Sequence, residues 1–419
     1  MNDTLTGRRH PAWRMFVVCC LIQFGCNGCL MMNLFTSAIC EDMGFAYASY
    51  GICTTIVSYV SAVIYPIAGR KLPTMNNKTL ALIGLLGPAA IFCTSFCTQL
   101  WQFYILAAVR GLVAGFFLMM ALPIIINKWF VKSRATALGI ALAMSGIAGP
   151  FFNTIGRSVI EASGWRTGVR VTGLISFLIF VPAVFFVLRT SPEELGVKAY
   201  GYEEGAADTA STSTEKGKNS AQKNYGFLTN PIFYILILAR LAMSLPSGFT
   251  GYFTVFGTSI GQAALGATLL SCYQMGNTVW KLVLGALVDK LSMRKAQYIA
   301  LALVTSGVLL VFFSGNTYAM MAGAFIFGAN ASISTLIASM LVVDTIPPEQ
   351  YATALGVITT ISSLMGGMIS PILGGIYDAT NSFTAYGIAI VIGMVFLAVL
   401  LTAVYALKGR QTKRAEAAQ

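Results

Sequence analysis

The chain has 419 residues, of which 56% are hydrophobic and only 10% are charged. Soluble globular domains carry about 25% charged residues, so this composition excludes an ordinary soluble protein and indicates an integral membrane protein. The net charge of +12 does not indicate a nucleic-acid partner, because the basic residues follow the loops on one side of the predicted membrane spans.

Apolar runs of spanning length predict twelve transmembrane helices, because a helix needs about 20 predominantly apolar residues to cross a bilayer. The first run follows Arg8, Arg9 and Arg14 and has no small-residue cleavage site after it, so we expect a transmembrane helix rather than a cleaved signal. We number the predicted spans 1 to 12 in chain order: 13–38, 47–69, 79–98, 101–126, 136–160, 167–188, 231–257, 266–288, 297–314, 317–342, 352–375 and 382–406.

One long polar stretch separates six spans from six. Its middle, 205–218, is rich in small polar residues and has the composition of a disordered linker. The predicted domains are therefore an N-terminal six-helix bundle at 1–189, a cytoplasmic linker at 190–226 and a C-terminal six-helix bundle at 227–419.

The distribution of Lys and Arg predicts the orientation. Of the 27 basic residues, 21 lie in the two tails, the central linker and the loops that join even-numbered to odd-numbered spans. The opposite side holds only Arg157, Arg166 and Arg170. Because basic residues accumulate on the cytoplasmic side, both termini are expected to be cytoplasmic.

The two halves repeat. Arg-Ala-Thr-Ala-Leu-Gly-Ile at 134–140 recurs as Tyr-Ala-Thr-Ala-Leu-Gly-Val at 351–357. The two runs begin at 134 and 351, and we call the difference between these positions the repeat offset. The same offset relates the turn after span 2 to the turn after span 8. The expected fold is an all-α membrane protein of two parallel six-helix pseudo-repeats, with a substrate site between the halves near the membrane midplane.

The turn after span 8 reads Gly-x-x-x-Asp-Lys-x-x-x-Arg-Lys. It resembles the loop motif between helices 8 and 9 of the major facilitator superfamily, and the topology extends that resemblance over essentially the whole chain. The matching turn of the first half, Gly69-Arg70-Lys71, lacks the acidic residue. The resemblance implies a cytoplasmic gating loop, with the candidates Gly285, Asp289, Lys290, Arg294 and, in the loop before span 5, Arg134.

A second motif resembles a narrower branch. The run Asn-Lys-Trp-Phe-x-x-x-Arg-Ala at 127–135, continued by Ala137 and Gly139, is similar to the signature of the monocarboxylate transporter and oxalate:formate antiporter branch. Ser133 and Ala135 depart from the usual basic residue and glycine. The resemblance implies a small carboxylate substrate.

In that branch span 8 carries a cation near the substrate carboxylate, eight positions before the loop Asp, and Lys281 stands at this position. Four positions earlier, Asn277 replaces the Asp of proton-coupled monocarboxylate members and matches oxalate:formate-like members. The lysine of span 11 in the antiporter has no counterpart, since 352–375 contains no basic residue. Oxalate itself is therefore not the expected substrate.

The three remaining basic residues, Arg110, Arg240 and Lys281, fall well inside predicted spans, away from the span ends. A cation at mid-membrane depth costs about 2.5–3.5 kcal/mol on insertion scales and is a functional-site hypothesis by default. All 15 acidic residues fall in tails, loops or span ends, so an anionic ligand, or water, is the expected partner of these cations. The alternative is that each cation bonds helix carbonyls or extends its head group to the membrane surface.

Polar residues lie at helical spacing from these cations, so each set shares one face of its span. We expect these faces to line a central cavity. Arg110 also belongs to an Arg-Gly-x-x-x-Gly run that resembles a basic motif found across the superfamily, so a structural or gating role has equal weight with ligand contact there. The substrate-binding candidates are Lys281, Asn277 and Gln274 on span 8, Arg240 and Ser244 on span 7, Gln23 and Asn27 on span 1, and Arg110 on span 4.

These observations predict a secondary active or facilitative transporter that moves a mono- or dicarboxylate across the plasma (inner cell) membrane by alternating access. We expect no cofactor and no metal, a possible counter-anion or proton, the lipid bilayer as surroundings, and a monomer. With no acidic residue inside a span, exchange or facilitated diffusion is favoured over proton coupling.

Other functions stay open at this point. An exporter of amphipathic or hydrophobic compounds would use the many Met and Phe residues as an adaptable cavity lining. A non-transporting sensor is disfavoured because the sequence shows no soluble signalling domain. An enzyme is disfavoured because no nucleophile–base pair, metal-ligand cluster or phosphate-binding loop is found, and the only histidine is His10 in the N-terminal tail.

Overall fold

The structure is a computed structural model. It describes residues 10–45, 47–187, 189, 192–201, 227, 230–366, 369 and 382–417. The regular elements among these residues are helices, and the one extended pairing is an isolated parallel bridge between Phe130 and Tyr200.

The chain divides into two compact units, Met1–Thr209 and Ala210–Gln419. The division falls within 190–226, the predicted linker, whose middle part at 205–218 lies outside the described residues. The N-terminal unit contains the helices α1 Pro11–Leu30, α2 Thr36–Met43, α3 Tyr47–Lys71, α4 Asn77–Thr94, α5 Leu100–Phe116, α6 Leu122–Trp129 and α7 Arg134–Pro182.

The helix α7 consists of two helices in sequence. At about 1.5 Å per residue a straight helix of this length would far exceed the roughly 30 Å core of a bilayer. Gly164 breaks it with φ 78° and ψ 168°, a conformation that glycine adopts readily because it has no Cβ. Predicted spans 5 and 6 therefore lie on the two sides of Gly164.

The C-terminal unit contains nine named helices among its described residues. A 3-10 run, Leu245–Tyr252, joins the first two of them. The helices are α8 Pro231–Ser244, α9 Phe253–Ser259, α10 Ala263–Lys290, α11 Met293–Phe313, α12 Thr317–Phe327, α13 Ala329–Ser332, α14 Ala338–Thr345, α15 Pro348–Gly366 and α16 Phe383–Ala417.

Eight helical segments of the described chain are long and apolar enough to cross a membrane. The remaining predicted spans lie on the shorter apolar helix Lys78–Thr94, on the second part of α7, and on α10 and α15, which carry more polar residues. The part of predicted span 11 at 370–375 falls outside the described residues. The eight segments are Pro11–Leu30, Ser49–Thr74, Leu100–Trp129, Arg134–Phe185, Pro231–Phe249, Met293–Phe313, Thr317–Thr345 and Phe383–Gly409.

The sequence repeat has a structural counterpart inside each unit. A π-turn interrupts the helix at Phe117–Ala121 in the N-terminal unit and at Ile333–Ile337 in the C-terminal unit, within one position of the repeat offset. Close helix contacts also recur at Gly111 and Gly328, which are related by the repeat offset. A Cβ would lie 2.9 Å from the Val57 carbonyl oxygen at Gly111 and 2.6 Å from that of Tyr273 at Gly328. Both units therefore use the same irregular helix and the same glycine contact.

Candidate functional site

Three of the predicted binding residues lie on α10, and their exposure falls along the helix. Gln274 is exposed, Asn277 is half-buried and Lys281 is 6% exposed. The Asn277 Nδ2 donates to Gln274 Oε1 at 3.5 Å, whereas its Oδ1 is buried without a hydrogen-bond partner among the described residues. The face thus runs from an exposed amide to a buried ammonium, with an unsatisfied acceptor between them.

The backbone of α10 is fixed against α12 at this level. Gly276 lies against the Phe325 carbonyl so closely that a Cβ at 276 would overlap it. Trp280, one residue before the lysine, donates from Nε1 to the same carbonyl oxygen at 3.1 Å. Because these contacts are made by backbone and a ring, the position of Lys281 on α10 is set by rigid packing.

Arg240 on α8 contacts the backbone of the π-turn. Its Nη1 donates to the Ser334 carbonyl oxygen within Ile333–Ile337. Ser244, the second predicted residue of this helix, donates from Oγ to the Arg240 carbonyl oxygen at 3.1 Å. π-turns are often found at functional sites, and here a guanidinium bonds the backbone of one.

Asn330 is a polar residue of this region that sequence reasoning missed. It is 1% exposed and lies 2.8 Å from Ser247 Oγ in the 3-10 run after α8. With its amide oriented so that both ends are satisfied, the oxygen accepts from Ser247 and the nitrogen donates to the Met243 carbonyl at 3.2 Å. The segment from Asn330 to Ser334 is therefore attached to α8 and to the run that follows it.

The predicted residues of α1 and α5 lie in the N-terminal unit. Gln23 is 3% exposed and its Oε1 is buried without a partner among the described residues. Asn27 donates from Nδ2 to the Gln23 carbonyl oxygen at 2.7 Å, so its amide is engaged with its own helix. Of this pair, Gln23 is the one that keeps an unsatisfied group.

Arg110 is 4% exposed on α5, and its Nε has no hydrogen-bond partner among the described residues. The adjoining Gly111 packs against α3, where Ser61 Oγ donates to the Gly111 carbonyl at 2.9 Å. The ionisable groups that face the guanidinium are Tyr50, Cys53, Cys29 and Cys97. Arg110 therefore lies within the packing of one unit, as a structural role would require, and its Nε keeps an unsatisfied donor.

The loop motif after α10 lies at the surface. Gly285 is buried, while Asp289 and Lys290 are exposed in the last turn of α10. Arg294, in the first turn of α11, places its guanidinium 5.5 Å from the ring centre of Tyr405 on α16. The motif thus connects the ends of α10 and α11 with α16, and its gating role stays a prediction.

The signature run at 127–135 forms a structural junction in the N-terminal unit. Trp129 and Phe130 are fully buried, and Trp129 donates from Nε1 to the Arg189 carbonyl at 3.0 Å. Lys128 donates from Nζ to the Pro73 carbonyl at 3.2 Å, and Arg134 donates from Nε to the Phe130 carbonyl at 2.7 Å. The predicted gating residue Arg134 therefore holds the backbone of the loop between α6 and α7.

The residues after predicted span 6 also pack on this loop. We call 192–201 the strap. Tyr200 donates from its backbone nitrogen to the Trp129 carbonyl at 2.9 Å, and its own carbonyl accepts from the Val131 nitrogen at 2.9 Å. Its ring lies 5.7 Å from that of Trp13 and 5.8 Å from that of Phe130. The beginning of the predicted linker is thus attached to the N-terminal unit.

The comparisons with known proteins agree with this architecture. The family model described as Major Facilitator Superfamily matches residues 16–367 and, again, residues 232–419. The chain belongs to the Major Facilitator Superfamily. The protein is therefore a membrane transporter of the all-helical facilitator fold, and no catalytic family is indicated.

Two curated relatives of this transporter are monocarboxylate transporter 12 of Homo sapiens and the MFS-type transporter pynF of Aspergillus niger. The first is 24% identical over 416 residues, which cover 89% of this chain and 78% of the relative. The second is 24% identical over 224 residues, which cover 53% of this chain and 46% of the relative. The predicted resemblance to monocarboxylate transporters is confirmed.

Among solved structures, the transporter is similar to FucP, a major facilitator transporter in the outward conformation. The TM-score is 0.71 at 13% identity, over 94% of this chain and 99% of FucP. A likeness at this identity concerns the fold alone.

Proposed function

We propose that this transporter moves a small organic anion, a mono- or dicarboxylate, across the plasma membrane by alternating access. In this proposal twelve spans form two six-helix bundles, 1–189 and 227–419, joined by a cytoplasmic linker at 190–226, with both termini cytoplasmic and the monomer as the functional unit. The C-terminal unit supplies the principal anion-binding group.

The observation that carries the proposal is Lys281. It is a cationic side chain, 6% exposed, on the helix α10, which a glycine contact and Trp280 hold against α12. Ionisable residues at this depth are costly and mark substrate or ion pathways in membrane proteins. An ammonium there favours a ligand of negative charge.

Asn277 supports the same site. Its side chain lies one helical turn before Lys281, so the two are neighbours on α10. A buried amide oxygen without a partner among the described residues needs a donor, which the hydroxyl of a hydroxy acid or a bound water would provide. Similarity to a protein named monocarboxylate transporter 12 along most of the chain favours a carboxylate over other anions.

Coupling by a buried carboxylate is disfavoured. Among the described residues the charged side chains that are buried are Arg110 and Lys281, and no Asp or Glu belongs to that set. Proton symporters commonly relay protons through intramembrane carboxylates. We therefore favour anion exchange or facilitated diffusion.

Counterflow in proteoliposomes tests the proposal. Vesicles containing the purified transporter are loaded with acetate, pyruvate, lactate, oxalate or succinate, and uptake of the same radiolabelled carboxylate is measured. At least one carboxylate should exchange, and Lys281→Ala should reduce its uptake at least tenfold. Exchange of neutral amphipathic compounds with no carboxylate exchange would contradict the proposal and favour the exporter.

A further inference from the structure

Ser332, the last residue of α13, has a buried hydroxyl. The residue is 0% exposed, and its Oγ has no hydrogen-bond partner among the described residues. Buried hydroxyls normally find a partner, because leaving one unsatisfied costs free energy. The next buried serine of the same stretch, Ser339, donates from Oγ to the Thr335 carbonyl at 2.6 Å. A buried serine hydroxyl in this stretch can therefore bond to a backbone carbonyl, as Ser339 does and, within the described part of the chain, Ser332 does not.

The internal repeat locates this hydroxyl relative to α10. Gly111 of α5 meets Val57 and Val60 of α3, and Gly328 meets Tyr273 and Asn277 of α10. The repeat offset relates Val60 to Asn277, just as it relates Gly111 to Gly328. The two helix pairs therefore cross in the same register.

One turn further along the same crossing, Gly115 lies against Ile64, where a Cβ at 115 would overlap the isoleucine side chain. The counterparts of these two residues in the C-terminal unit are Ser332 and Lys281. Where the N-terminal unit has a glycine in contact with an isoleucine, the C-terminal unit has a serine and a lysine at the corresponding positions. Both replacements introduce hydrogen-bond donors at a buried helix crossing.

From this register we infer that Ser332 is a second donor of the anion site and binds the carboxylate together with Lys281. The inference rests on the proposed function, because it assigns a further residue to the same site. A carboxylate has two oxygens and several lone pairs, so one oxygen accepts from the ammonium and the other from the hydroxyl. A hydroxyl without an acceptor among the described residues donates to such an oxygen without breaking an existing bond.

The inference predicts a specific kinetic signature. For the panel carboxylate with the fastest wild-type counterflow, Ser332→Ala and Ser332→Gly should raise KM about 5- to 20-fold, with kcat changed less than twofold. When Ser332→Ala is added to a variant that already carries Lys281→Ala, KM should change less than twofold. The two substitutions are not additive, because both donors act on one carboxylate. Ser339→Ala is the matched control, at a buried serine whose hydroxyl donates to the Thr335 carbonyl of the π-turn, and its KM should stay within twofold of wild type.

Thermal unfolding without added carboxylate gives a readout that does not depend on transport. Ser332→Ala should leave Tm unchanged or raise it, because no hydrogen bond is removed, whereas Ser339→Ala should lower it. A drop in Tm for Ser332→Ala as large as that for Ser339→Ala would overturn the inference, since the hydroxyl would then be bonded within the protein.

The two proposals fail in different ways. If Lys281→Ala reduces carboxylate counterflow at least tenfold while Ser332→Ala leaves KM unchanged, the inference about Ser332 is overturned and the proposed function stands. If the wild type exchanges none of the five carboxylates, the proposed function is overturned, and the inference falls with it.

Discussion

Arg240 and Ser334 are joined by a hydrogen bond from the guanidinium Nη1 to the backbone carbonyl, inside the π-turn Ile333–Ile337. The sequence predicts Arg240 as a substrate ligand. We propose that the hydrogen bond gives it a positioning role as well, because the π-turn directly follows α13, which carries Asn330 and Ser332.

Removal of the guanidinium tests this positioning role. Arg240→Met should lower stability in the absence of any carboxylate by about 1.5–3 kcal/mol, the range for a hydrogen bond from a charged group. The measurement is thermal unfolding in detergent, with Arg157→Met as the control, since Arg157 is exposed on α7. Wild-type stability in Arg240→Met would contradict the positioning role.

Because Gly276 packs directly against the Phe325 carbonyl, a methyl group added at position 276 should destabilise the fold strongly. Gly276→Ala should cost about 1–3 kcal/mol or more, because the atom it meets belongs to backbone and cannot rotate away. Gly51→Ala is the control, since a Cβ at 51 would meet nothing within 4 Å. If the two variants unfold at the same temperature and retain equal transport, the close approach of α10 to α12 is wrong.

The aromatic contacts of Tyr200 should protect the strap from protease by keeping it packed on the N-terminal unit. Tyr200→Ala removes the ring contacts with Trp13 and Phe130, each worth about 0.5–1.5 kcal/mol. Tryptic cleavage after Lys198, followed by mass spectrometry, should therefore be at least threefold faster than in the wild type. Tyr318→Ala, at a residue 82% exposed, should leave the rate unchanged. A wild-type rate in Tyr200→Ala would show that the rings do not hold the strap.

The contact between Asp42 and Arg166 should weaken at acid pH, when the Asp42 carboxylate is protonated. The Trp165 Nε1 and the Arg166 Nη1 donate to Asp42 Oδ2 at 2.9 and 2.8 Å, and these two bonds hold the pKa of Asp42 below its usual value. A carboxyl whose pKa is lower in the folded state than in the unfolded state stabilises the protein at every pH above its unfolded-state pKa, about 3.9. This contribution is lost as the pH falls through the folded-state pKa.

The Tm difference between wild type and Asp42→Asn should therefore be constant from about pH 8 to about pH 5 and shrink below about pH 4. Glu349→Gln is the control, at an acidic residue of the first turn of α15. A difference that changes between pH 8 and pH 6 would be inconsistent with a lowered pKa at Asp42.

Much of the architecture follows from hydropathy and spacing, because a membrane helix must satisfy its backbone internally and be apolar for about 20 residues. The apolar spans and the position of Lys281 inside one of them are predicted in this way, whereas the superfamily is predicted from the resemblance of the loop motif after span 8. A cation in an apolar run is visible in the sequence because it breaks the composition of its surroundings.

The buried polar residues of α13 are not visible in the same way. Asn330 and Ser332 resemble ordinary small polar residues of a helix, and only their burial and the close crossing with α10 distinguish them. The role of Arg240 depends on a π-turn, a departure from helix geometry that hydrophobic periodicity does not encode. The strap was included in the linker because its composition is polar, although Tyr200 is an aromatic residue available for packing.

The most direct test of the central claim is the thermal shift of the purified transporter with a carboxylate and with its neutral amide. We compare wild type, Lys281→Arg and Lys281→Gln in chloride-free buffer. A ligand at 100 times its Kd stabilises the folded state by about 2.7 kcal/mol. We predict a raised Tm with the carboxylate alone in wild type and Lys281→Arg, and no shift in Lys281→Gln. An equal shift with the amide, or an undiminished carboxylate shift in Lys281→Gln, would contradict an anion site at Lys281.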